Sequence, residues 1–194
     1  PGYAYLRGAG FQNYVSSFDD VRAYATEGGI DRAYLFDSSG NDTFFGRSAD
    51  AYMQGTNLIS YASGFDRVIA YATAGGIDRA VMYDSQGNDI FIGRGDTAYL
   101  YGPGFYNFAR GFDRVYAYAI YGGYDAVSFT DTAGNDTFLG RSFDAYMAGS
   151  GYYNFSKGFD RVYAYATAGG TDRAVTQDSA GNDTFIGTST YSLM

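Results

Sequence analysis

The sequence predicts an all-β solenoid, a right-handed parallel β-helix of about eight coils, and three observations lead to this fold class. The chain repeats with a constant period of 47 residues. Its 194 residues include 28 Gly, 22 Tyr and 16 Phe, a composition typical of short strands and tight turns. Apolar and polar residues alternate in short segments, and no capping box leads into a helical period.

The period is clearest in four copies of a glycine-aspartate motif. They read "SGNDTFFG" at 39–46, "QGNDIFIG" at 86–93, "AGNDTFLG" at 133–140 and "AGNDTFIG" at 180–187. No residue is inserted between copies, as a stack of coils requires, because one insertion would shift every strand register. We therefore expect one repeat domain over 1–194. Its four units are expected at about 4–50, 51–97, 98–144 and 145–191.

Each unit contains a shorter echo, the pattern G-x-D-x-[V/F], in which only the first copy begins with serine. The aspartates of this pattern recur every 23 or 24 residues: Asp19, Asp42, Asp66, Asp89, Asp113, Asp136, Asp160 and Asp183. A spacing of roughly 20–25 residues is expected for one coil of a parallel β-helix. Four units would then give eight coils, with one aspartate of the pattern in each.

The strands are expected in a fixed order within the unit. "DRVYAYA" at 160–166 alternates, with a V-x-A-x-A face that is the same in all four units and is expected in the core. A Gly-Gly turn and a strand such as "DRAYLFD" at 31–37 follow. Next come "DTFFG" (42–46), "AYMQG" (51–55) and an aromatic stretch such as 151–158. The recurrent tyrosines of the "AYM" segment are expected in the core: Tyr5, Tyr52, Tyr99 and Tyr146.

A four-bladed β-propeller is the alternative fold, with one unit forming each four-stranded blade. The unit has a suitable length for a blade. The echo within each unit favours the solenoid, because both coils then place the same G-x-D pattern at the same corner.

The recurrent aspartates are the main candidate for a binding site. In a solenoid they would form one column of like charges that repel by roughly 1 kcal/mol per neighbour in water. Bound cations would relieve this repulsion, and sites made only of oxygen ligands suit Ca²⁺. A second aspartate stands five residues before each Asn-Asp pair, so the candidate metal ligands are Asp37, Asp42, Asp84, Asp89, Asp131, Asp136, Asp178 and Asp183. Ser38 and Asn41 add neutral oxygens. The same loop, D-S-x-G-N-D, is also a good turn sequence in which the aspartates accept backbone hydrogen bonds, and this alternative stays open.

The motif "GNDTFLG" and its copies resemble part of the RTX nonapeptide of hemolysin-type calcium-binding proteins, G-G-x-G-x-D-x-U-x. The match covers Gly40, Asp42 and Phe44 and their equivalents in the other units. The leading glycines are absent, and the copies stand 47 residues apart rather than in tandem. The whole unit is also similar to long tandem arrays of large bacterial surface and secreted proteins. The resemblance implies bound Ca²⁺ and a secreted or cell-surface location.

Two further sets of residues recur in every unit. The first, which we expect to form surface ion pairs or turn caps, comprises Asp31, Asp78, Asp125 and Asp172. The second is a tyrosine ladder on the apparent outer face that could stack on sugar rings, with Tyr71, Tyr118 and Tyr165 as candidate ligand residues. Packing against neighbouring strands is the alternative role for these tyrosines.

The composition narrows the function. A net charge of −8 disfavours nucleic acid as a partner, and no long apolar run predicts membrane insertion. The chain has no His and a single lysine, Lys157, and its near-perfect symmetry offers no distinctive catalytic group. We therefore expect a non-enzymatic, extracellular structural or adhesive module stabilised by Ca²⁺. A carbohydrate-binding module and a self-assembling filament or sheath subunit are the alternatives, with polysaccharide or further copies of the chain as partners.

Overall fold

The computed structural model describes residues 2–186, which form strands and turns and contain no helix. Strands β1 to β7 span Tyr3–Gly8, Phe11–Ser16, Asp20–Tyr24, Arg32–Phe36, Thr43–Gly46, Asp50–Gly55 and Leu58–Ser63. Strands β8 to β13 span Arg67–Tyr71, Arg79–Tyr83, Ile90–Arg94, Thr97–Gly102, Phe105–Arg110 and Arg114–Tyr118. Strands β14 to β19 span Ala126–Thr130, Thr137–Gly140, Asp144–Gly149, Tyr152–Lys157, Arg161–Tyr165 and Arg173–Thr176.

The strands form two large sheets that enclose the core, and a separate hairpin. The ten-stranded sheet has the order β19-β15-β16-β17-β13-β9-β5-β6-β7-β3, and the seven-stranded sheet has the order β18-β14-β10-β11-β12-β8-β4. Strands β1 and β2 pair only with each other. From β3 onward the chain alternates between the two large sheets, so that each crossing is a corner of the solenoid.

Each 47-residue unit makes three passes: two single strands and one three-stranded antiparallel meander. Because three is odd, equivalent elements of successive units lie in opposite sheets. The meanders β5–β7 and β15–β17 belong to the ten-stranded sheet, whereas β10–β12 belongs to the seven-stranded sheet. Parallel ladders, such as Thr43 opposite Arg79, join one turn to the next, and antiparallel ladders, such as Phe44 opposite Met53, form the meanders.

The predicted β-solenoid is confirmed, and the propeller alternative is wrong because the strands form two sheets rather than four blades. Two details of the prediction are also wrong. The sheets are mixed rather than wholly parallel. The solenoid has fewer turns than the eight predicted, because two strands of every meander lie in the same sheet as the first and begin no new turn. The right-handed winding and the unit boundaries stay predictions.

The core lies between the sheets and contains the inward residues of the alternating strands. The V-x-A-x-A face is buried as predicted in β8, with Val68 and Ala70, and in β13, with Val115 and Ala117. Phe44 and Phe91, the apolar residues two positions after the motif aspartates, are fully buried. The G-x-D-x-[V/F] pattern therefore marks the corner at which a strand enters the core.

The prediction for the "AYM" tyrosines is wrong. Tyr52, Tyr99 and Tyr146 are half-buried, and the exposed Tyr5 is accessible over half its surface. Their neighbours along the strand are buried instead: Ala51, Met53, Ala98, Leu100, Ala145 and Met147. Because side chains alternate along the strand, either the tyrosines or their neighbours could have pointed into the core. The small Ala together with the Met or Leu fits the narrow space between the sheets.

Candidate cation sites at the turns

The D-S-x-G-N-D loop forms the corner before the third pass of each unit. The described copies at 37–42, 84–89 and 131–136 connect β4 to β5, β9 to β10 and β14 to β15. Within the middle loop the Ser85 hydroxyl accepts the Gly87 N–H at 3.1 Å, which tightens the bend. Gly40 takes a positive φ of 116° in the first loop, and its N–H donates to the Gly75 carbonyl of the next turn. The corners of successive turns therefore stack on each other.

Three groups of aspartates, one at each loop, bring one carboxylate oxygen per residue within 4.8 Å of one another. The first cluster is Asp37, Asp42 and Asp78; the middle cluster is Asp84, Asp89 and Asp125; the third cluster is Asp131, Asp136 and Asp172. Two members of each belong to one loop, and the remaining member comes from the following turn. Six of the eight predicted ligands are thus brought together in pairs.

The leading aspartate of each loop binds the backbone of the next turn. The Asp37 carboxylate accepts the N–H groups of Thr73 and Ala74 at 2.8 and 2.7 Å. Asp84 accepts the N–H groups of Ile120 and Tyr121, both at 2.9 Å. These bonds differ from the local bonds that the turn interpretation predicts, because they join residues 36 or 37 positions apart and hold successive corners together. They leave part of each carboxylate's acceptor capacity available on the side of the cluster.

The second aspartate of each loop is buried. Asp42 and Asp89 are 1% and 0% exposed, and the Ser85 N–H and hydroxyl both donate to Asp89, at 2.8 and 2.9 Å. A glycine in the following meander makes room for each of these carboxylates. A Cβ on Gly102 would stand 1.7 Å from the Asp89 Oδ1 atom, so only glycine fits there.

The third aspartate of each cluster was missed as a candidate ligand. We expected Asp78, Asp125 and Asp172 at surface ion pairs or turn caps. Asp78 and Asp125 are buried instead, and their carboxylates accept the backbone N–H groups of Asp42 and Asp89, both at 2.8 Å. Each lies 36 residues after the second aspartate of its cluster. This separation corresponds to one turn of the solenoid that contains a meander. Only that geometry, which the 47-residue period hides, could have identified them.

Burial and mutual repulsion disfavour the ionised forms of these acids. Burial raises the pKa of Asp89, and the nearby Asp84 raises it further. Burial likewise raises the pKa values of Asp78 and Asp125, with contributions from the other aspartates of their clusters. Among the described residues, no basic side chain lies within salt-bridge distance of these three acids. The ion pairs that do form involve other aspartates. Protons or a cation are therefore the available counter-charges.

The size of each cluster suits Ca²⁺. Calcium–oxygen distances are about 2.3–2.6 Å, so two oxygens on opposite sides of one ion are about 4.8 Å apart. The three oxygens of each cluster lie within that separation of one another. Asn41, the predicted neutral ligand, uses its Oδ1 atom to accept the Ile77 N–H of the next turn at 2.8 Å. The Ser38 hydroxyl is within the cluster and donates to the Asp42 carboxylate at 3.0 Å.

The third cluster differs from the others by a tyrosine hydroxyl. Tyr152 donates to the Asp136 Oδ1 atom at 2.6 Å, whereas the equivalent residues of the earlier units are Phe105 and Leu58. Burial, together with this hydrogen bond, raises the pKa of Tyr152 well above its ordinary range. The hydroxyl therefore stays a donor and occupies one acceptor position of Asp136.

The predicted single column of eight aspartates is wrong. The strands that follow Asp42 and Asp113 lie in the ten-stranded sheet, whereas those that follow Asp89 and Asp160 lie in the seven-stranded sheet. The G-x-D aspartates are thus divided between the two edges of the solenoid. The remaining predicted ligands, Asp178 and Asp183, are exposed, and within residues 2–186 no third carboxylate completes a cluster with them.

The tyrosines predicted to form one ladder lie on different faces. Tyr71 and Tyr165 belong to the seven-stranded sheet and Tyr118 to the ten-stranded sheet. Tyr71 and Tyr118 each belong to a local aromatic row instead. The Tyr71 ring stacks on Phe36 with centroids 5.5 Å apart, and Tyr118 stacks on Tyr83 at 5.6 Å.

Comparisons with protein-family models, with curated proteins and with solved structures gave no match to this chain. A further search among residues 2–186 found no helix of the length and hydropathy needed to cross a membrane. The assignment of function therefore depends on the geometry of the repeat and its clusters.

Proposed function

We propose that this chain is a non-enzymatic, extracellular structural module, a rigid spacer or adhesive stalk whose turns are held together by Ca²⁺. The observation that carries the proposal is the recurrence of a three-carboxylate cluster at successive corners. Each cluster contains residues from two turns, so an ion bound there would hold the turns together. A secreted or cell-surface location follows from the same proposal, since Ca²⁺ is abundant outside cells and the motif resembles RTX repeats.

The physical argument is the relief of charge repulsion. Two like charges about 4.8 Å apart repel by roughly 3 kcal/mol at an effective dielectric constant of 20. A divalent cation converts this repulsion into attraction and supplies the counter-charge that the described side chains around Asp78, Asp89 and Asp125 do not. The parallel ladders between turns make the rod continuous, which suits a spacer whose function is to hold its ends apart.

A calcium titration of the melting temperature tests the proposal. At a free Ca²⁺ concentration 100 times the Kd, each site adds about 2.7 kcal/mol, so each is expected to raise Tm by roughly 5–11 °C. EDTA should reverse the rise. The combined variant Asp42→Asn, Asp89→Asn and Asp136→Asn should lose the response, because each cluster then lacks one of its three carboxylates.

The matched control removes three aspartates outside the clusters. Asp20, Asp50 and Asp96 form surface ion pairs with Arg22, Arg47 and Arg110. The triple Asn variant at these positions changes the net charge equally and should keep the full Ca²⁺ response. Equal responses of the two triple variants, or a wild-type Tm that Ca²⁺ leaves unchanged, would remove calcium from the proposal.

A carbohydrate-binding module is the second candidate, and the aromatic rows favour it. On the outer face of the ten-stranded sheet, Tyr118 lies between Tyr83 and Phe155 in one continuous row of rings. Polysaccharide binding should weaken at least tenfold in the Tyr118→Ala variant. The comparison is Tyr24→Ala on another row, and unchanged retention on glycan arrays in both variants would reject this function.

A self-assembling filament or sheath subunit is the third candidate. It is favoured by the parallel ladders between turns, a pairing that a further copy could continue.

A further inference from the structure

The acidic and basic residues of this chain occupy different parts of the solenoid. Eleven of the 13 basic residues lie in strands, whereas only three of the 21 acidic residues do. The remaining acids lie at the corners and in the connecting loops. The net negative charge is therefore concentrated at the corners and loops, and the strands present mainly basic side chains to the solvent.

Two arginines stand directly opposite each other at the centre of the ten-stranded sheet. Arg79 of β9 and Arg114 of β13 are Cα partners in the parallel ladder, and both are exposed on the outer face. Like charges directly opposite on neighbouring strands are destabilising. Among residues 2–186, no carboxylate lies within salt-bridge distance of either guanidinium group. This arginine pair therefore has an unmet need for an anion.

The acids nearest in sequence to the arginine pair are engaged elsewhere. Asp78 and Asp113 immediately precede the two arginines, but consecutive residues of an extended chain point to opposite sides. The Asp78 carboxylate accepts the Asp42 N–H at 2.8 Å, and the Asp113 carboxylate accepts the Asp78 N–H at 2.7 Å. Both acids thus stabilise the stacked corners instead of neutralising the arginines.

Aromatic and polar side chains lie beside the arginine pair on the same face. The guanidinium carbon of Arg79 lies 5.8 Å from the centroid of the Tyr116 ring. Thr43 lies opposite Arg79 and Gln54 lies opposite Thr43, so the row continues across two further strands. A depression there is lined in part by Thr43, Phe45 and Gln54. From β13 to β6 the row covers three strand spacings, or about 14 Å, which is longer than one sugar ring.

We propose that this face binds an acidic polysaccharide, with the carboxylate of a uronic acid residue held between Arg79 and Arg114. The inference rests on the carbohydrate-binding candidate above and deepens it by naming the class of sugar. A planar carboxylate matches the guanidinium fork, and one carboxylate between the two arginines relieves their repulsion. The Tyr116 ring supports the sugar ring, and Thr43 and Gln54 offer hydrogen bonds to the hydroxyls of the neighbouring sugar.

The flanking residues favour a polysaccharide in which uronic acids alternate with neutral sugars. The arginine pair has uncharged neighbours on both sides, because Tyr153 lies opposite Arg114 and Thr43 lies opposite Arg79. Separated carboxylates match one pair of positive charges between uncharged residues. A nucleic acid carries a phosphate on every residue and would bring further negative charge beside the acidic corners, which disfavours it.

The repeat contains a second arginine pair and one broken pair. On the seven-stranded sheet Arg32 lies opposite Arg67, and the Arg67 guanidinium carbon lies 6.0 Å from the centroid of the Tyr106 ring. At the equivalent position of the next turn of that sheet, Ala126 lies opposite Arg161, so the pair is incomplete. The proposal therefore expects one site at each complete pair, and Ala126→Arg should create a further site.

Isothermal titration calorimetry with a short hyaluronan oligosaccharide, whose uronic acids alternate with neutral sugars, tests the proposal. EDTA in the buffer prevents Ca²⁺ from bridging the carboxylates of protein and ligand. The wild type should bind two ligands per chain, one at each arginine pair. The double variant Arg79→Gln, Arg114→Gln should bind one fewer, and Ala126→Arg one more. All these side chains lie on outer faces, so the variants should fold, which circular dichroism checks.

The matched protein control is the double variant Arg22→Gln, Arg110→Gln. It removes the same charge from arginines that form ion pairs with Asp20 and Asp96, and it should keep the wild-type stoichiometry. The matched ligand is the same oligosaccharide with its carboxylates reduced to alcohols, which should bind at least about tenfold more weakly. A lower stoichiometry in this control, or an unchanged one in the Arg79 and Arg114 variant or in Ala126→Arg, would overturn the proposal.

The ligand comparison separates this proposal from the functions above. Equal binding of the reduced oligosaccharide would overturn the acidic class alone and leave the carbohydrate-binding candidate. The absence of binding to either oligosaccharide would overturn both, and tighter binding of a single-stranded DNA oligonucleotide would make the face a nucleic-acid site instead. The calcium proposal is tested independently by the Ca²⁺ dependence of Tm in the same variants, because none of the exchanged residues belongs to an aspartate cluster.

Discussion

The middle and third clusters stand at equivalent loops and differ in one tyrosine hydroxyl and in the third aspartate, Asp125 being buried and Asp172 exposed. In the third cluster Tyr152 donates to Asp136, and in the middle cluster the Phe105 ring occupies the equivalent place. Both rings lie against the equivalent glycines, since a Cβ on Gly102 or on Gly149 would approach the ring within 3.0 Å. Asp89 and Asp136 each accept the N–H and the hydroxyl of their own loop, and Asp136 has the tyrosine hydroxyl as an additional donor.

The difference separates two roles of an aspartate at a corner. Where the tyrosine hydroxyl donates in addition to the loop, the carboxylate is part of a larger hydrogen-bond network and is stabilising in its ionised form. Where the tyrosine hydroxyl is absent, the ionised carboxylate keeps more unsatisfied acceptor capacity in a buried place, which favours a proton or a cation. The middle cluster is therefore expected to depend more on Ca²⁺ than the third.

The largest effect is expected from removing the space that both clusters need. Gly102→Ala places a methyl group against the Asp89 carboxylate and should destabilise the fold by about 3 kcal/mol, or roughly 6–12 °C in Tm. Gly134→Ala is the control, because its nearest neighbour atom, on Thr132, stands 3.7 Å from the new Cβ. Thermal denaturation in EDTA gives both values, and equal losses in the two variants would contradict this account of Gly102.

The role of such glycines shows what sequence could and could not predict. The period, the turns and the V-x-A-x-A face are local or repetitive, so the solenoid and its core strands were predictable. The contact of Asp42 with Asp78 could not be predicted, because the two residues are one turn apart only if that turn contains a meander. The buried face of the "AYM" strand could not be predicted either, since both faces carry apolar residues. Only the distance between the sheets selects Ala51 and Met53 for the core.

The division of the aspartates between two edges has a similar cause. A spacing of 23 or 24 residues is compatible with one coil, with two single-strand passes or with one meander. Only the odd number of passes in each unit moves equivalent residues to opposite sheets. The same odd number of passes places Tyr71 and Tyr118 in different sheets. Equivalent residues of successive units therefore do not form one continuous ladder.

The next largest effect compares the buried carboxylates themselves. In EDTA at pH 7, Asp89→Asn should raise the free energy of unfolding by about 1–2 kcal/mol, because it removes a buried charge without a basic partner. Asp136→Asn should lower it by about 1 kcal/mol, because it weakens the hydrogen bond from Tyr152. Urea denaturation measures both, and changes of the same sign in the two variants would remove the distinction between the clusters.

Exchanging the ring substituents tests the hydroxyl directly. Tyr152→Phe should destabilise the calcium-free protein by about 1 kcal/mol. Phe105→Tyr should stabilise it by a similar amount, because the new hydroxyl would reach Asp89 as that of Tyr152 reaches Asp136. The double exchange should leave the total nearly unchanged. A destabilised Phe105→Tyr variant would mean that the middle cluster has no room for the hydroxyl.

The smallest effect is the pH dependence, which compares the second aspartate of the middle loop with the leading aspartate of the third loop. Burial raises the pKa of Asp89 above the ordinary 3.8, so its protonated form contributes stability below that pH, and the contribution is lost as the pH rises through the raised pKa. The advantage of Asp89→Asn over the wild type in EDTA should therefore grow from pH 4 to pH 7.

Asp131 of the third cluster should behave in the opposite way. Burial alone would raise its pKa, but hydrogen bonds from Thr167 and Ala168 outweigh burial and hold the pKa below its usual value. Its ionised form contributes stability above the ordinary pKa, and this is lost as the pH falls through the lowered value. The wild type should thus exceed Asp131→Asn in stability at pH 7, by a margin that closes below about pH 4. Denaturation series at both pH values check the two trends, and parallel trends would contradict the opposite charge preferences of the second aspartate, Asp89, and the leading aspartate, Asp131.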